Sequence, residues 1–193
     1  MGFVDRERYA TLFPATLQSR AEPDKYAQSI YTAQTFEFHL REASRLGNED
    51  ALLDLADHFD DPSFFDEGCK GENHDPLRVA EIAENLDRLH DVYDWLTKAA
   101  EAGDTEAMRR LIEEFDQNDL QRCWSWVYLA QLLDTDLTRD DYYAIHEDGS
   151  VYDDDIGGPM YVDGREGIKL PTLSDVQDVL ARQTAKALFD KIQ

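Results

Sequence analysis

Basic side chains are scarce in this sequence. Its 193 residues include 42 aspartates and glutamates but only 19 lysines and arginines, which gives a formal net charge of −23. Neither lysine nor arginine occurs from Leu46 to Cys69, or from Asp140 to Gly164. Because nucleic acids and anionic lipids are bound through cationic contacts, we expect neither a nucleic-acid partner nor a membrane partner. Such a surface attracts a basic protein instead.

Cysteines and long apolar runs are also few. Cys69 and Cys123 are the two cysteines, and their spacing fits neither a CxxC motif nor a disulfide framework, which predicts a reducing compartment. No apolar run approaches the roughly 20 residues that span a bilayer. The first residues lack the apolar core of a secretory signal. We therefore expect a cytoplasmic protein, with a monomer favoured over an oligomer.

Recognised catalytic motifs are missing. The sequence has no GxGxxG, no GxxxxGK[ST] and no GxSxG. Two acidic clusters remain as candidate cation ligands, one around His58 and one around Asp153. The first has no second His or Cys at ligand spacing, and the second lacks the order of an EF-hand loop. We expect no catalytic residue, no metal and no cofactor. A metal-assisted hydrolase that uses these clusters is the alternative.

Helical periodicity dominates residues 24–138, where apolar residues recur every three or four positions between breaks at glycines and at a loop over 60–75. Residues 139–171 alternate apolar and polar side chains around Asp148-Gly149 and predict a short β-hairpin or an irregular insertion. A capping box at Ser174 and Gln177 begins a C-terminal helix within 172–193. We expect Val176, Val179, Leu180, Leu188 and Ile192 to pack it on Trp124, Val127 or Leu132. The chain, 1–193, reads as a single domain.

Two segments, 40–59 and 96–115, repeat one skeleton: LREASRLGNEDALLDLADHF and LTKAAEAGDTEAMRRLIEEF. The repeated positions of the first copy are Ala43, Gly47, Ala51, Leu55 and Phe59, and those of the second are Ala99, Gly103, Ala107, Leu111 and Phe115. Small residues suit a close crossing of two helices, and glycine suits a positive-φ turn between them. The pattern Ala-Ala-x-x-Gly-Asp-x-x-Ala resembles the Sel-like repeat, a relative of the tetratricopeptide repeat. Trp124 to Asp134 looks like half of a third copy.

The resemblance implies an all-α fold, an α-α superhelix of antiparallel helix pairs, with an acidic groove that holds another protein. One version of this hypothesis is an antidote that covers the basic active site of a toxin. An acidic mimic of nucleic acid is a further alternative. The candidate partner-binding residues combine tyrosines with carboxylates: Tyr142, Tyr143, Glu147, Asp148, Asp153, Asp154 and Asp155. A capping role over the last helix pair competes with recognition for the two tyrosines.

Overall fold

The computed structural model describes residues 22–68, 73–153 and 158–193, with residues 22–31 described by their backbone alone. The predicted helical class is confirmed, since helices dominate and the sheet found in these ranges has two antiparallel strands. The chain separates into two compact units, Met1–Lys70 and Gly71–Gln193. Among the described helices, none is long and apolar enough to cross a membrane.

Within residues 22–68, the described part of the first unit, there are three helices: α1 (Glu22–Arg45), α2 (Glu49–Phe59) and α3 (Ser63–Asp66). Helices α1 and α2 form a hairpin around Gly47, whose φ is +87°. Leu40 of α1 packs against Ala51 and Leu55 of α2, and Ala43 and Phe59 flank this cluster. The repeated apolar positions of the first copy therefore meet in one helix–helix contact.

The second unit carries the remaining elements. In chain order they are α4 (Pro76–Asn85), α5 (Leu89–Glu101), α6 (Thr105–Arg110), a π-helix (Leu111–Phe115), α7 (Leu120–Leu132), β1 (Asp141–Ile145), β2 (Tyr161–Arg165) and α8 (Asp175–Ile192). The apolar period from Val79 to Ala99 is thus divided between two helices. The division lies at Asp87, which adopts a left-handed conformation with φ +56°.

Four helices end in the same way. In each, a residue with positive φ lies four positions after an alanine, and the next N–H donates to that alanine's carbonyl oxygen, as in a Schellman turn. The left-handed residues are Gly47, Asp87, Gly103 and Asp134. The corresponding bonds are Asn48 N to Ala43 O (3.2 Å), Arg88 N to Ala83 O (2.9 Å), Asp104 N to Ala99 O (3.0 Å) and Thr135 N to Ala130 O (2.9 Å). Only the left-handed turns at the two glycines were predicted from the sequence. Aspartate tolerates this conformation but is not typical of it.

The helix that follows each glycine is also capped alike. Oδ1 of Asn48 accepts the N–H of Ala51 at 3.1 Å. Oδ1 of Asp104 accepts the N–H of Ala107 at 2.8 Å. An Asn or Asp cap satisfies one of the free N–H groups of a helix start. The two copies therefore share a turn and a cap as well as a sequence skeleton.

The C-terminal helix α8 packs on α7, but through a different face from the expected one. Ala181 and Ala185 are its buried residues, whereas Val176, Val179 and Leu180 are 71%, 53% and 43% exposed. The expectation for these three residues is wrong, because the two small alanines allow α8 to approach the bulky surface of α7 closely.

At its far end, α8 reaches the turn between α5 and α6. An ideal Cβ on Gly103 would lie 3.6 Å from the Cδ1 atom of Ile192 and from that of Leu133. Both distances are ordinary van der Waals contacts. The C-terminal helix therefore covers both α7 and the glycine turn of the second copy.

Candidate functional site

The two-stranded ribbon formed by β1 and β2 is exposed on both faces. Its antiparallel register places Tyr143 opposite Asp163 and Ala144 opposite Val162. Because successive side chains of a strand point to opposite faces, Tyr142 and Tyr143 lie on different sides of the ribbon. Their side chains are 56% and 46% exposed. One flat partner surface therefore contacts only one of these two tyrosines.

The two faces differ in chemistry. One face carries Tyr143, Ile145, Tyr161, the carboxylates of Asp141 and Asp163 and, opposite Asp141, the Arg165 side chain that bonds to Glu106. The opposite face carries Tyr142, Ala144, Val162 and Gly164, none of which is charged. The phenol of Tyr143 donates to Oδ2 of Asp163 at 3.4 Å. The ribbon thus presents an acidic aromatic face and an apolar face.

The turn after β1 holds the other predicted partner-binding residues. Asp148 accepts hydrogen bonds from the hydroxyl of Ser150 (2.7 Å) and from its N–H (3.0 Å), and these bonds lower the pKa of Asp148. Glu147 is exposed beside it. The N–H of Asp153 donates to Nε2 of His146 at 3.1 Å. Asp154 and Asp155 lie outside the described residues, so their predicted role stays a prediction.

A buried arginine holds both ends of the ribbon segment. Arg109 of α6 is only 4% exposed. Its Nη2 donates to the carbonyl oxygen of Leu137 at 3.1 Å, just before β1. Its Nη1 donates to the carbonyl oxygen of Glu166 at 3.2 Å, just after β2. One guanidinium therefore ties the two ends of the ribbon to the helices of this unit.

Two glycines allow the chain segments at the base of the ribbon to approach closely. A Cβ at Gly167 would lie 2.1 Å from the carbonyl oxygen of Thr138, and one at Gly164 would lie 1.9 Å from that of Asp141. Neither position has room for a side chain. The N–H of Ile168 bonds to the carbonyl oxygen of Leu137 at 2.8 Å, which closes the base.

The cations nearest the ribbon are engaged at this base. Arg165 donates to both carboxylate oxygens of Glu106, at 2.8 and 2.5 Å. These bonds lower the pKa of Glu106 and raise that of Arg165. Lys169 contacts Oδ1 of Asp140 at 3.1 Å. The pKa of Asp140 is lowered first by the N–H of Gly167 and then by Lys169. Residues 140–164 supply no lysine or arginine of their own, and Arg165 lies opposite Asp141 at the base end of the ribbon.

An open cavity of about 490 Å³ lies next to this base. Its lining comes from the π-helix, with Ile112 and Glu113, from Gln117 and from the extended segment 166–171. Its wall combines apolar residues with the charged side chains of Glu113, Glu166 and Lys169. The cavity is best understood as the gap left where an extended segment crosses a helix.

The acidic cluster around His58 does not form a cation site. Asp61 is occupied by Nη1 of Arg41 at 2.7 Å and by the N–H of Ser63 at 3.0 Å. Burial opposes the ionisation of Asp61, but the bonds from Ser63 and Arg41 outweigh it, and the net pKa is lowered. Throughout the described ranges, no group of three or more His, Cys, Asp or Glu residues is arranged to hold a metal ion.

Cys123 and Asp116 lie together in the core of the second unit. Burial is the main cause that raises the pKa of Cys123 to about 11, so its thiol stays protonated at neutral pH. Asp116 is 6% exposed and accepts a hydrogen bond from Nε1 of Trp126 at 2.9 Å. The sequence alone does not single out Asp116, because an aspartate close to Glu113 and Glu114 resembles any other acidic surface residue.

Comparison with known proteins returns no match: no family model, no curated protein and no solved structure matches this chain. The resemblance of residues 40–59 and 96–115 to the Sel-like repeat stays a prediction from the sequence. The ribbon and its surroundings are therefore interpreted from their own geometry and charge.

Proposed function

We propose that this protein is a non-catalytic binding module that holds a basic protein through its ribbon, residues 141–165. The observation that carries this proposal is a β-ribbon exposed on both faces and anchored at its base by the buried Arg109. An isolated two-stranded hairpin is marginally stable in water. A ribbon that is held in place yet exposed over most of its residues suits a surface that a partner covers.

Charge supports a basic partner. From Asp140 to Gly164 the sequence has eight carboxylates and neither lysine nor arginine. Exposed aromatic side chains next to these carboxylates supply apolar contact area, and tyrosine is enriched among residues that dominate binding energy. Long-range attraction between opposite charges speeds encounter, and salt screens it over about 8 Å at physiological ionic strength.

For the helices we propose a scaffold role as a short Sel-like superhelix. The shared turn and cap of the two repeat copies support this proposal. So does the Schellman-type end that recurs after Ala83 and Ala130. A repeat scaffold displays an inserted ribbon without needing catalytic residues. Neutralisation of a toxin with a basic active site is one form that such a function takes.

Site-specific photo-crosslinking tests the proposed site. A benzophenone amino acid replaces Val162 on the ribbon or, as control, Leu89, which is 67% exposed at the start of α5. We expect a discrete adduct with a basic protein from Val162 but not from Leu89. Equal labelling from both positions, or adducts with acidic proteins alone, would contradict the proposed site.

A matched set of charge variants then tests the role of the acids. Asp141→Asn, Glu147→Gln and Asp163→Asn together should weaken capture of the crosslinked protein. The control neutralises three exposed helix acids, Glu81, Asp94 and Glu101, and changes the net charge equally. If both triple variants lose the same affinity, total charge rather than the ribbon attracts the partner. A binding constant that collapses steeply with salt favours the alternative, nucleic-acid mimicry.

A further inference from the structure

The backbone of β1 shows which groups of the ribbon point outward. The carbonyl oxygen of Ala144 accepts the N–H of Tyr152 at 3.0 Å, and the N–H of His146 donates to the carbonyl oxygen of Ser150 at 2.8 Å. Both bonds lie on the side of β1 away from β2. Backbone groups of successive strand residues alternate between the two sides. Tyr143 and Ile145 therefore direct their backbone groups toward β2.

The same alternation assigns the groups of β2. Asp163 and Tyr161 are opposite Tyr143 and Ile145, so their N–H and C=O groups face β1. Those of Val162 and Gly164 face the outer edge of the ribbon. The N–H of Gly164 is satisfied there by Oδ1 of Asp163 at 2.7 Å. The outer edge of β2 thus offers the N–H and C=O of Val162, and in the described part of the chain β1 is its only neighbouring strand.

We propose that an extended segment of the basic partner adds to this outer edge as a further strand and hydrogen-bonds to Val162. This inference rests on the proposed function and specifies how the partner is held. Strand addition satisfies exposed backbone groups and is a recurring way in which proteins recognise peptides. Val162 is 68% exposed, so an incoming strand meets little steric resistance at this position.

The two faces of the ribbon define the sequence of the added strand. A neighbouring strand lies about 4.8 Å away, and its side chains alternate between the same two faces. Positions beside Asp163 and Tyr161 favour lysine or arginine. Positions beside Val162 and Gly164, on the uncharged face, favour apolar residues. The segment that fits is therefore one in which basic and apolar residues alternate.

Charge also explains why this occupant is a partner and not a second copy of the chain. Pairing of two ribbons edge to edge would bring together two segments that each carry eight carboxylates and no lysine or arginine between Asp140 and Gly164. Like charges on neighbouring strands are destabilising. Charged residues on an edge strand are a common protection against self-pairing, and they leave the edge open to a strand of opposite charge.

A peptide of about ten residues that alternates lysine and valine, capped at both ends, is a suitable probe, since strands of that length are common. Its binding is measured by calorimetric titration with Val162→Pro and Val162→Thr. Proline removes the outward N–H without touching the bonds to β1, whereas threonine keeps it. We expect proline to weaken binding by about tenfold, the effect of losing one hydrogen bond, and threonine to change it by less than about twofold.

An amide-to-ester replacement at Val162 provides a second variant that keeps the side chain and the strand conformation. Amide exchange at Tyr161 and Asp163 reports whether Val162→Pro disturbs the β1–β2 register. If it does, the ester variant replaces the proline variant as the test. We expect the ester to weaken the peptide as proline does. A control peptide of equal charge with a central proline should bind more weakly than the alternating peptide.

The outcomes separate the two proposals. If the ester and proline variants bind the alternating peptide as the parent does, or if both peptides bind equally, strand addition is wrong. In that case the proposed function remains valid if Val162 still crosslinks to a basic protein and if that capture still depends on the ribbon acids. Failure of the alternating peptide to bind, or pairing of two copies through β2, also overturns strand addition.

Discussion

Nε1 of Trp126 donates a hydrogen bond of 2.9 Å to Oδ2 of Asp116, and both residues are buried. Nε of Arg122 reaches the same oxygen at 3.1 Å. The hydroxyl of Tyr93 lies 3.4 Å from the other carboxylate oxygen. One carboxylate thereby joins α5 and α7 at the end of the π-helix. A buried charge is tolerated in a protein when it is paired and hydrogen-bonded in this way.

Replacement of this carboxylate should be among the most damaging changes in the second unit. Asp116→Ala leaves Trp126 and Arg122 without their acceptor, and we expect a loss of about 3–5 kcal/mol in the free energy of unfolding. Asp119→Ala removes only the cap of α7 and should cost about 1 kcal/mol. Urea unfolding followed by tryptophan fluorescence measures both. Equal losses would show that Asp116 is an ordinary surface acid.

The turn of the second repeat copy depends on backbone conformation at Gly103. Its φ is +102°, whereas the space at its Cβ position is open enough for a methyl group. Gly103→Val should therefore destabilise the protein by about 1–3 kcal/mol through backbone strain. Gly103→Asn should cost less, because asparagine tolerates the left-handed region. Thermal melts in which valine and asparagine behave alike would remove strain as the cause.

The base of the ribbon should be sensitive to a single methyl group. At Gly167 a Cβ would lie 2.1 Å from the carbonyl oxygen of Thr138, so Gly167→Ala must push the two segments apart. We expect a cost of about 1–3 kcal/mol, as in other overpacked sites. Gly149→Ala is the control for the added methyl group, since nothing lies within 4 Å of its Cβ position; its φ is +83°, whereas Gly167 is not a positive-φ glycine. Amide exchange in β2 should accelerate only for Gly167→Ala.

Acid should loosen the ribbon through Glu106. The hydrogen bonds from Arg165 lower the pKa of Glu106 from its ordinary value of 4.5. A group with a lowered folded-state pKa stabilises the fold above its ordinary pKa, and this contribution is lost as the pH falls through the folded value. The protection of β2 amides against exchange, taken relative to the intrinsic exchange rate at each pH, should fall in the parent below about pH 4.5.

Glu106→Gln removes the group that titrates. The protection of β2 amides in this variant should therefore depend less on pH over the same range. Glu101→Gln, an exposed helix residue, is the control and should follow the parent. An unchanged pH profile for Glu106→Gln would exclude the contact between Glu106 and Arg165 as the acid-sensitive element.

The packing of α8 gives a direct test of which face lies inward. Ala181 is fully buried against its surroundings, while Val179 is 53% exposed. Ala181→Leu should destabilise the protein by about 1–3 kcal/mol through overpacking. Val179→Ala should change stability by less than about 0.5 kcal/mol, as surface substitutions do. If urea unfolding shows a large loss for Val179→Ala and a small one for Ala181→Leu, the valine face expected from the sequence is the buried one.

Local features of this fold follow from the sequence because a few neighbouring residues decide them. Gly47 and Gly103 end helices, Asn48 and Asp104 begin them, and Ser174 with Gln177 forms the predicted capping box. The left-handed turns at Asp87 and Asp134 were not predicted, since aspartate is common in many other conformations. The turn signal at Asp148-Gly149 is present, but it leads only to a bridge between Ile145 and Val151. The main pairing joins 141–145 to 161–165.

Net charge, helical class and the helix ends at Gly47 and Gly103 were determined by the sequence alone, because composition and contacts between near neighbours set them. Tertiary structure decided which face of α8 is buried, since the valines and leucine at 176–180 have an apolar period as good as that of Ala181 and Ala185. It also decided the roles of Arg109 and Asp116, whose partners lie in other elements: Leu137 and Glu166 for Arg109, and Tyr93 and Trp126 for Asp116. A side chain becomes an anchor only when distant segments bring acceptors or donors within about 3 Å of it, and no local pattern encodes that meeting.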